Sequence, residues 1–398
     1  MKTRRITSLL TMIAATAVYV AQISSPDFPS FAVQSQPSVL FVSPLGSDKN
    51  TGTLASAPLK TIQAALNRAV PGTTIRLGVG VYREQPTTMR NGTASAPITI
   101  QGPESGRSAS ERYKAVLYGR GRIFNINNSF YKLDGFTIDG QEALAGRTYP
   151  KSLADVRAFK DSVRGLAIDG RLIYIGSATS AVNVAGVVIH NMFLSGGGGE
   201  CVRLRQGANH NTIDSSVIQW CGMYAQPADP EKYRYHNGEG VYIGTSPKAA
   251  GLPADTYDNS GYNTVRNNLI VTDGSECLDL KEGSHDNAFI GNDCRNNDEP
   301  LSFDGSNLEI RGYDNIITDN SISGSHGSGL KIKSDSSLNP QGGNIVQRNA
   351  FSNSVGPAII NGQNRPQGLF CGNRFAVGAP IYTVPGQEPA NAPCPAVS

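Results

Sequence analysis

Four glutamates set at one point of a recurring string are the residues best suited to chemistry. The strings are ECVRLRQG (residues 200–207), EGVYIGTS (239–246), ECLDLKEG (276–283) and EPLSFDGS (299–306), followed by SGLKIKSD (328–335) and GPAIINGQ (356–363). Stacked, they would place Glu200, Glu239, Glu276 and Glu299 in a column with a spacing of about 4.8 Å. Like charges facing one another across strands repel. Compensation must come from raised pKa values, from basic neighbours, or from a hard cation such as calcium that takes oxygen ligands. The sixth position of each string reads Arg205, Gly244, Lys281, Asp304, Lys333 and Asn361, and the fourth adds Arg203, Tyr242, Asp279 and Lys331. A groove of cations beside carboxylates and a tyrosine suits an acidic polysaccharide. Solvated ion pairs, Lys281 with Asp304 for instance, are the plainer reading of any single member.

On a uronate polymer that groove could support β-elimination. The C5 proton is weakly acidic until the adjacent carboxylate is neutralised by calcium or a cationic side chain. A lysine can then remove it, provided that its pKa is lowered from ~10.4 by nearby cations or desolvation. Lys281 is the candidate base, with Lys331 a second catalytic candidate. Arg203, Arg205, Tyr242, Asp279 and Lys333 are candidate sugar contacts. Two carboxylates flanking a glycosidic bond would instead serve acid/base hydrolysis, with Glu239 and Glu276 in those roles.

The elements that must hold these groups are legible in the same strings. Their third and fifth residues are apolar throughout (Val202/Leu204, Val241/Ile243, Leu278/Leu280, Leu301/Phe303, Leu330/Ile332, Ala358/Ile360) while the fourth varies, the alternation of a half-buried strand. Repetition at this spacing predicts an all-β fold, a single right-handed parallel β-helix in which each coil uses its neighbours as core. A second pattern, Asn-x-apolar-x-x-Asn, recurs as NTVRNN, NAFIGN, NIITDN and NIVQRN, starting at Asn263, Asn287, Asn315 and Asn344. Asn suits a corner that enters the left-handed region, and stacked amides can bond from coil to coil. The longer gap from Asn211 to Asn263 is one coil carrying insertions near residues 224–235 and 247–261. Upstream, Ile62, Ala65, Leu66 and Ala69 share one face of a short helix ended by Pro71-Gly72, a cap for the first coil.

The totals agree. Forty-four glycines and 17% charged residues fit a turn-rich β protein, and a formal charge of +3 is too weak to argue for a nucleic-acid partner. No zinc-like Cys/His spacing or phosphate-binding glycine loop occurs. Lys2, Arg4 and Arg5 before an apolar stretch read as a secretory signal over residues 1–21, with a linker at 22–38, a cap at 39–85, the β-helix at 86–375 and a tail at 376–398. A stable membrane span after cleavage is not expected, and the product is a secreted, periplasmic or cell-surface monomer. Export makes the six cysteines candidates for disulfides. Cys371 with Cys394 is the natural clasp for the tail, while Cys201 and Cys277 are equally compatible with buried thiols.

The opening VSPLGSDKNTGT…APLKTIQAALNRAVPGTTIRLGVGVYRE resembles the start of secreted parallel β-helix proteins of the pectate-lyase superfamily. NGEGVYIGTS (237–246) with GSECLDLKEGSHDN (274–287) resembles the central coils of the alginate-lyase and chondroitinase-B type family. That resemblance implies calcium held by Asn237 and Glu276, and Lys281 as base, five residues after Glu276; Glu239 and Glu299 join the candidate metal ligands from their place in the glutamate column. It departs at Gly274, where the family has a glutamate, and near Phe303–Asp304, where it has an arginine; Arg311, Lys331 or Arg205 could replace the latter. A looser resemblance to polygalacturonase-type hydrolases rests on SECLDLKEG and on SHGSGLKIK (325–333), with His326, Lys331 and Lys333. The expectation is a polysaccharide lyase; a hydrolase or epimerase on the same groove and a non-catalytic glycan-binding solenoid are the alternatives.

Overall fold

Among the described residues the central coils run through three parallel sheets in turn, so that residues far apart in sequence become neighbours on one wall. The computed structural model describes residues 38–147, 168–177, 182–223, 238–247, 257–272, 275–296, 305–325, 327–333, 342–362, 365–376 and 392–395, with scattered positions between 155 and 166. Among them, the first sheet has 11 strands, from Val39–Val42 to Phe370–Cys371. The second has 10, from Gly80–Arg83 to Arg374–Phe375, and the third has 8, from Gly121–Ile126 to Ile359–Asn361. All pairings are parallel, as a one-way wound ribbon requires. The expected signal segment lies outside the described residues, and so do Asn237, Gly274, Glu299, Asp304 and His326.

The first coil substitutes the helix Ile62–Arg68 for strands. Thr61 caps it by accepting from Ala64 N at 3.1 Å, and the Glu84 carboxylate accepts from Ile62 N and Gln63 N at 2.7 and 2.9 Å. Ile62, Ala65, Leu66 and Ala69 are fully buried, the face read from their spacing. The strands flanking this helix, Val39–Val42 and Thr74–Leu77, already pair with each other in the first sheet, so part of the cap segment belongs to the stack.

Two asparagine ladders fasten the coils. In one, the side-chain amides of Asn211, Asn263, Asn287, Asn315 and Asn344 donate in succession to the next side-chain oxygen at 3.0–3.1 Å, ending on Gln367. In the other, Asn268, Asn292, Asn320, Asn349 and Asn373 do the same. Asn211 bonds directly to Asn263, so the long gap is a single coil. The left-handed backbone falls one residue before each Asn and not on it: His210, Tyr262, Asp286 and Asp314 in one ladder, Asn267, Asp319 and Arg348 in the other, all with φ of 50–59°. That offset leaves the amide of the ladder residue free to point along the stack.

Three disulfides join Cys201 to Cys221, Cys277 to Cys294 and Cys371 to Cys394, and no free cysteine remains. The question left open for Cys201 and Cys277 is thereby settled in favour of bonds, and the tail clasp is present.

Candidate active site on the third sheet

The third sheet presents the third and fifth residues of each string to the core and the fourth outward, and its register decides which side chains meet. Val202, Val241 and Leu278 pair in sequence, as expected, but Leu278 next pairs with Leu308 and not with Leu301. The fourth rung is therefore the strand Ser306–Ile310. In the sixth string Leu330 pairs with Ile359, one residue later than the pattern suggested. Both shifts follow from the same cause: short apolar alternations recur by chance, and only pairing fixes the register.

The glutamate column consequently reads Glu200, Glu239, Glu276, Ser306, with Ser306 where Glu299 was expected. Its two ends are treated differently. Glu200 is buried between Arg171 Nε at 2.5 Å and Arg203 Nη1 at 2.8 Å. Against burial, which would raise it, these guanidiniums hold the Glu200 carboxyl below its ordinary value. Arg171 reaches this position because Gly199 has no side chain: a Cβ there would lie 3.2 Å from the Arg171 Cζ. Arg203 also lies over the Tyr242 ring, 4.4 Å from its centroid.

Glu239 and Glu276 have no such partners. Together with Asp279 they offer carboxylate oxygens all within 4.8 Å of one another. Burial first, then Glu200 and Asp279, push the Glu239 carboxyl up to about 8. Burial, Glu309, Asp279 and Glu239 likewise raise Glu276 well above its usual range. Glu239 is 6% exposed, and its Oε2 accepts no hydrogen bond. A buried oxygen with no donor, facing two further carboxylates, is arranged for something positive. The sequence placed Asp279 among sugar contacts; here it completes the acidic group.

Lys281 stands beside that group. Its Nζ lies 2.5 Å from Asp279 Oδ2 and 4.9 Å from the Tyr242 ring centroid. Gly244, one rung earlier in its column, leaves the space: a Cβ there would touch the Lys281 Cβ at 3.2 Å. A lysine base needs a lowered pKa. The opposite holds, since Asp279, Tyr242 and Glu239 outweigh burial and raise the Lys281 ammonium well above its usual value. Asp279 supplies the neighbouring charge that the sequence had assigned to Asp304.

The next rung supplies the cation that the sequence had not located. Arg311 N donates to Leu280 O at 2.8 Å, which places Arg311 directly after Lys281 in the column. Its guanidinium pairs with Glu309 and lies 3.5 Å from Asp279 Oδ2. Lys333 follows, 2.7 Å from Glu309 Oε1. Burial and Asp279 push the Glu309 carboxyl up to about 7, Lys333 and Lys281 pulling the other way. Lys331 pairs with Glu309 in the outward column and is half-buried. Arg205, although in the Lys281 column, turns into a buried network, with Nε on Thr245 Oγ1 at 2.6 Å and Thr245 on Asp258 at 2.6 Å. Asp258 in turn accepts from the Gln206 and Gly207 amides. Glu309 and Arg171 were missed because the strings were anchored on glutamate and neither lies in a string; Arg311, also outside the strings, had been named only as one of three stand-ins for the missing arginine.

No protein-family model matches the chain. In sequence it is 32% identical over 135 residues to YwoF of Bacillus subtilis, an uncharacterized protein, a stretch covering 32% of this chain and 29% of that one. It is 44% identical over 69 residues to pectate lyase PEL9 of Emericella nidulans, covering 16% of each. The matches thus span less than a third of these relatives' own lengths. Among solved structures, alginate lyase from Paenibacillus sp. FPU-7 superimposes with a TM-score of 0.58 at 18% identity, covering 81% of this chain and 95% of that one. Pectate lyase Pel9A does so with 0.51 at 14%, covering 84% and 79%. Those likenesses concern the backbone, and with the three parallel sheets they place this chain among the right-handed parallel β-helices of the pectate-lyase-like kind.

Proposed function

We propose that the protein is a polysaccharide lyase that cleaves a uronic-acid-containing polymer by β-elimination on the outward face of the third sheet, with calcium as the resident cation. The observation that carries this reading is the junction of three carboxylates, Glu239, Glu276 and Asp279, with Lys281 on the same rung as Glu276 and Asp279 and Arg311 on the next. The three fit a hard cation: all donors are oxygen, two carboxyls are raised by mutual repulsion and burial, and Glu239 Oε2 is unsatisfied. When bound there, calcium would supply positive charge against a substrate carboxylate.

The chain's own residues do the rest. Lys281 holds its proton while Asp279 faces it at 2.5 Å, so it becomes a base only when the Asp279 charge is engaged elsewhere. Arg311 then lies one rung away to neutralise the developing enolate or the leaving oxygen. Arg203 on Tyr242 offers a flat, charged platform for the sugar, with Lys331 and Lys333 beyond it. The inverting hydrolytic alternative is less well served. Inverting hydrolysis needs carboxylates roughly 6.5–9.5 Å apart to admit a water, and here the oxygens approach within 4.8 Å.

Calcium titration by calorimetry tests the cation site without turnover. Binding with release of protons near pH 7, weakened at least tenfold in Glu239→Gln, is expected. Unchanged binding in that variant would remove calcium from these carboxylates.

A further inference from the structure

The column that carries the glutamates does not begin with one. Arg122 is registered with Arg171, and Arg171 precedes Glu200, so it reads Arg, Arg, Glu, Glu, Glu along successive coils. Arg171 is committed to Glu200 and lies 3.6 Å from Asp169. Arg122 is not committed. It is exposed, its guanidinium lies over the Tyr174 ring at 3.9 Å from the centroid, and among the described residues it meets no carboxylate. Stacking fixes the plane of a guanidinium and leaves its edge donors free for a planar oxyanion.

The arrangement recurs two rungs on. Tyr174, Arg203 and Tyr242 share the outward column, and Arg203 covers Tyr242 as Arg122 covers Tyr174. Two rungs make roughly 10 Å, a distance that a polymer crosses in a couple of sugar units. Tyr174 needs no help with its own polarity, since its hydroxyl donates to Ser177 O at 3.3 Å. Covering the buried ring is one service that Arg122 performs; presenting an unpaired charge three rungs, roughly 14 Å, from Glu239 in the same column is another, and it calls for an anion.

We propose that Arg122, held flat on Tyr174, is a second anion subsite that takes the carboxylate of a uronate unit a few sugars along the same chain from the unit that lies at Glu239, Glu276 and Asp279. This rests on the reading of the substrate as a polyuronate and extends it: the site would require a run of charged sugars and not a single one.

The test measures binding with calcium present and with turnover suppressed by Lys281→Ala in every protein compared, using polygalacturonate and alginate oligomers of graded length and a methyl-esterified pectin. Arg122→Ala should weaken binding of long oligomers about tenfold and leave disaccharides unchanged, and Arg122→Lys should recover only part of the loss. The difference that Arg122→Ala makes should vanish on the esterified polymer. An equal effect at all lengths, no effect on long oligomers, or the same effect on esterified polymer would overturn the proposal. A fall in Tm with unaltered length dependence would assign Arg122 to covering Tyr174 alone. If wild type binds but yields no unsaturated product, the lyase chemistry fails while the subsite still stands or falls on the binding of Arg122→Ala. If wild type binds no polyuronate, both fail.

Discussion

Glu239 is the residue on which the site turns, because it is buried, unsatisfied and flanked by two further acids. Its carboxyl is raised from 4.5 to about 8, so the metal-free protein keeps a proton there at neutral pH that the unfolded chain would release. The sign follows from linkage. The contribution to stability is fully present below the unfolded value of 4.5 and is lost as pH rises up through about 8. The Tm of chelated protein should therefore fall over this interval, Glu239→Gln should flatten the fall, and calcium should recover it at the alkaline end; differential scanning fluorimetry across pH reads all three. Lys281→Ala and Arg311→Ala should each reduce elimination by at least about a hundredfold while leaving calcium binding in place. Retained turnover in Lys281→Ala would remove its role as base. Lys281 was read as a candidate base from its spacing to Glu276, but its raised pKa was not legible, because the partner responsible, Asp279, had been read as a sugar contact.

At the scale of elements, the ladders and disulfides hold the carboxylates in register. Cys201 and Cys277 follow Glu200 and Glu276 directly and tie the third sheet to Cys221 and Cys294 near the second. Replacing Cys277 and Cys294 together with alanine should cost about 2–4 kcal/mol and weaken calcium binding in parallel. A loss of stability without any change in calcium affinity would separate the bond from the site. Within the ladders, Asn292→Ala orphans groups on both neighbours and should cost about 1–3 kcal/mol, more than Asn373→Ala at the end of its row; chemical denaturation compares the two. The ladders were readable because Asn recurs at a fixed point in each coil. The fourth rung was not: Leu301 and Phe303 imitate an inward-facing pair, and the true strand, Ser306–Ile310, carries serine where the pattern sought glutamate. That rung also puts Arg311, which the sequence had offered only as one of three stand-ins for the arginine missing near Phe303–Asp304, next to Lys281.

For the whole molecule, a single parallel β-helix was legible from period and alternation, its division into three sheets was not, and the likeness of the described residues to an alginate lyase and a pectate lyase agrees with the fold at the level of the backbone. The chemistry depends on a narrower fact, the order of charges down one wall: Arg122 and Arg171, then three glutamates with Asp279, then Lys281, Arg311 and Lys333. Among the described residues no helix is long and apolar enough to cross a membrane. The most direct measurement is near-ultraviolet absorbance of polyuronates incubated with the protein, with calcium, with chelator, and with Lys281→Ala. An unsaturated product formed with calcium and lost under the other two conditions is the expected result. Reducing ends without that absorbance, or absorbance indifferent to both chelation and Lys281, would contradict it.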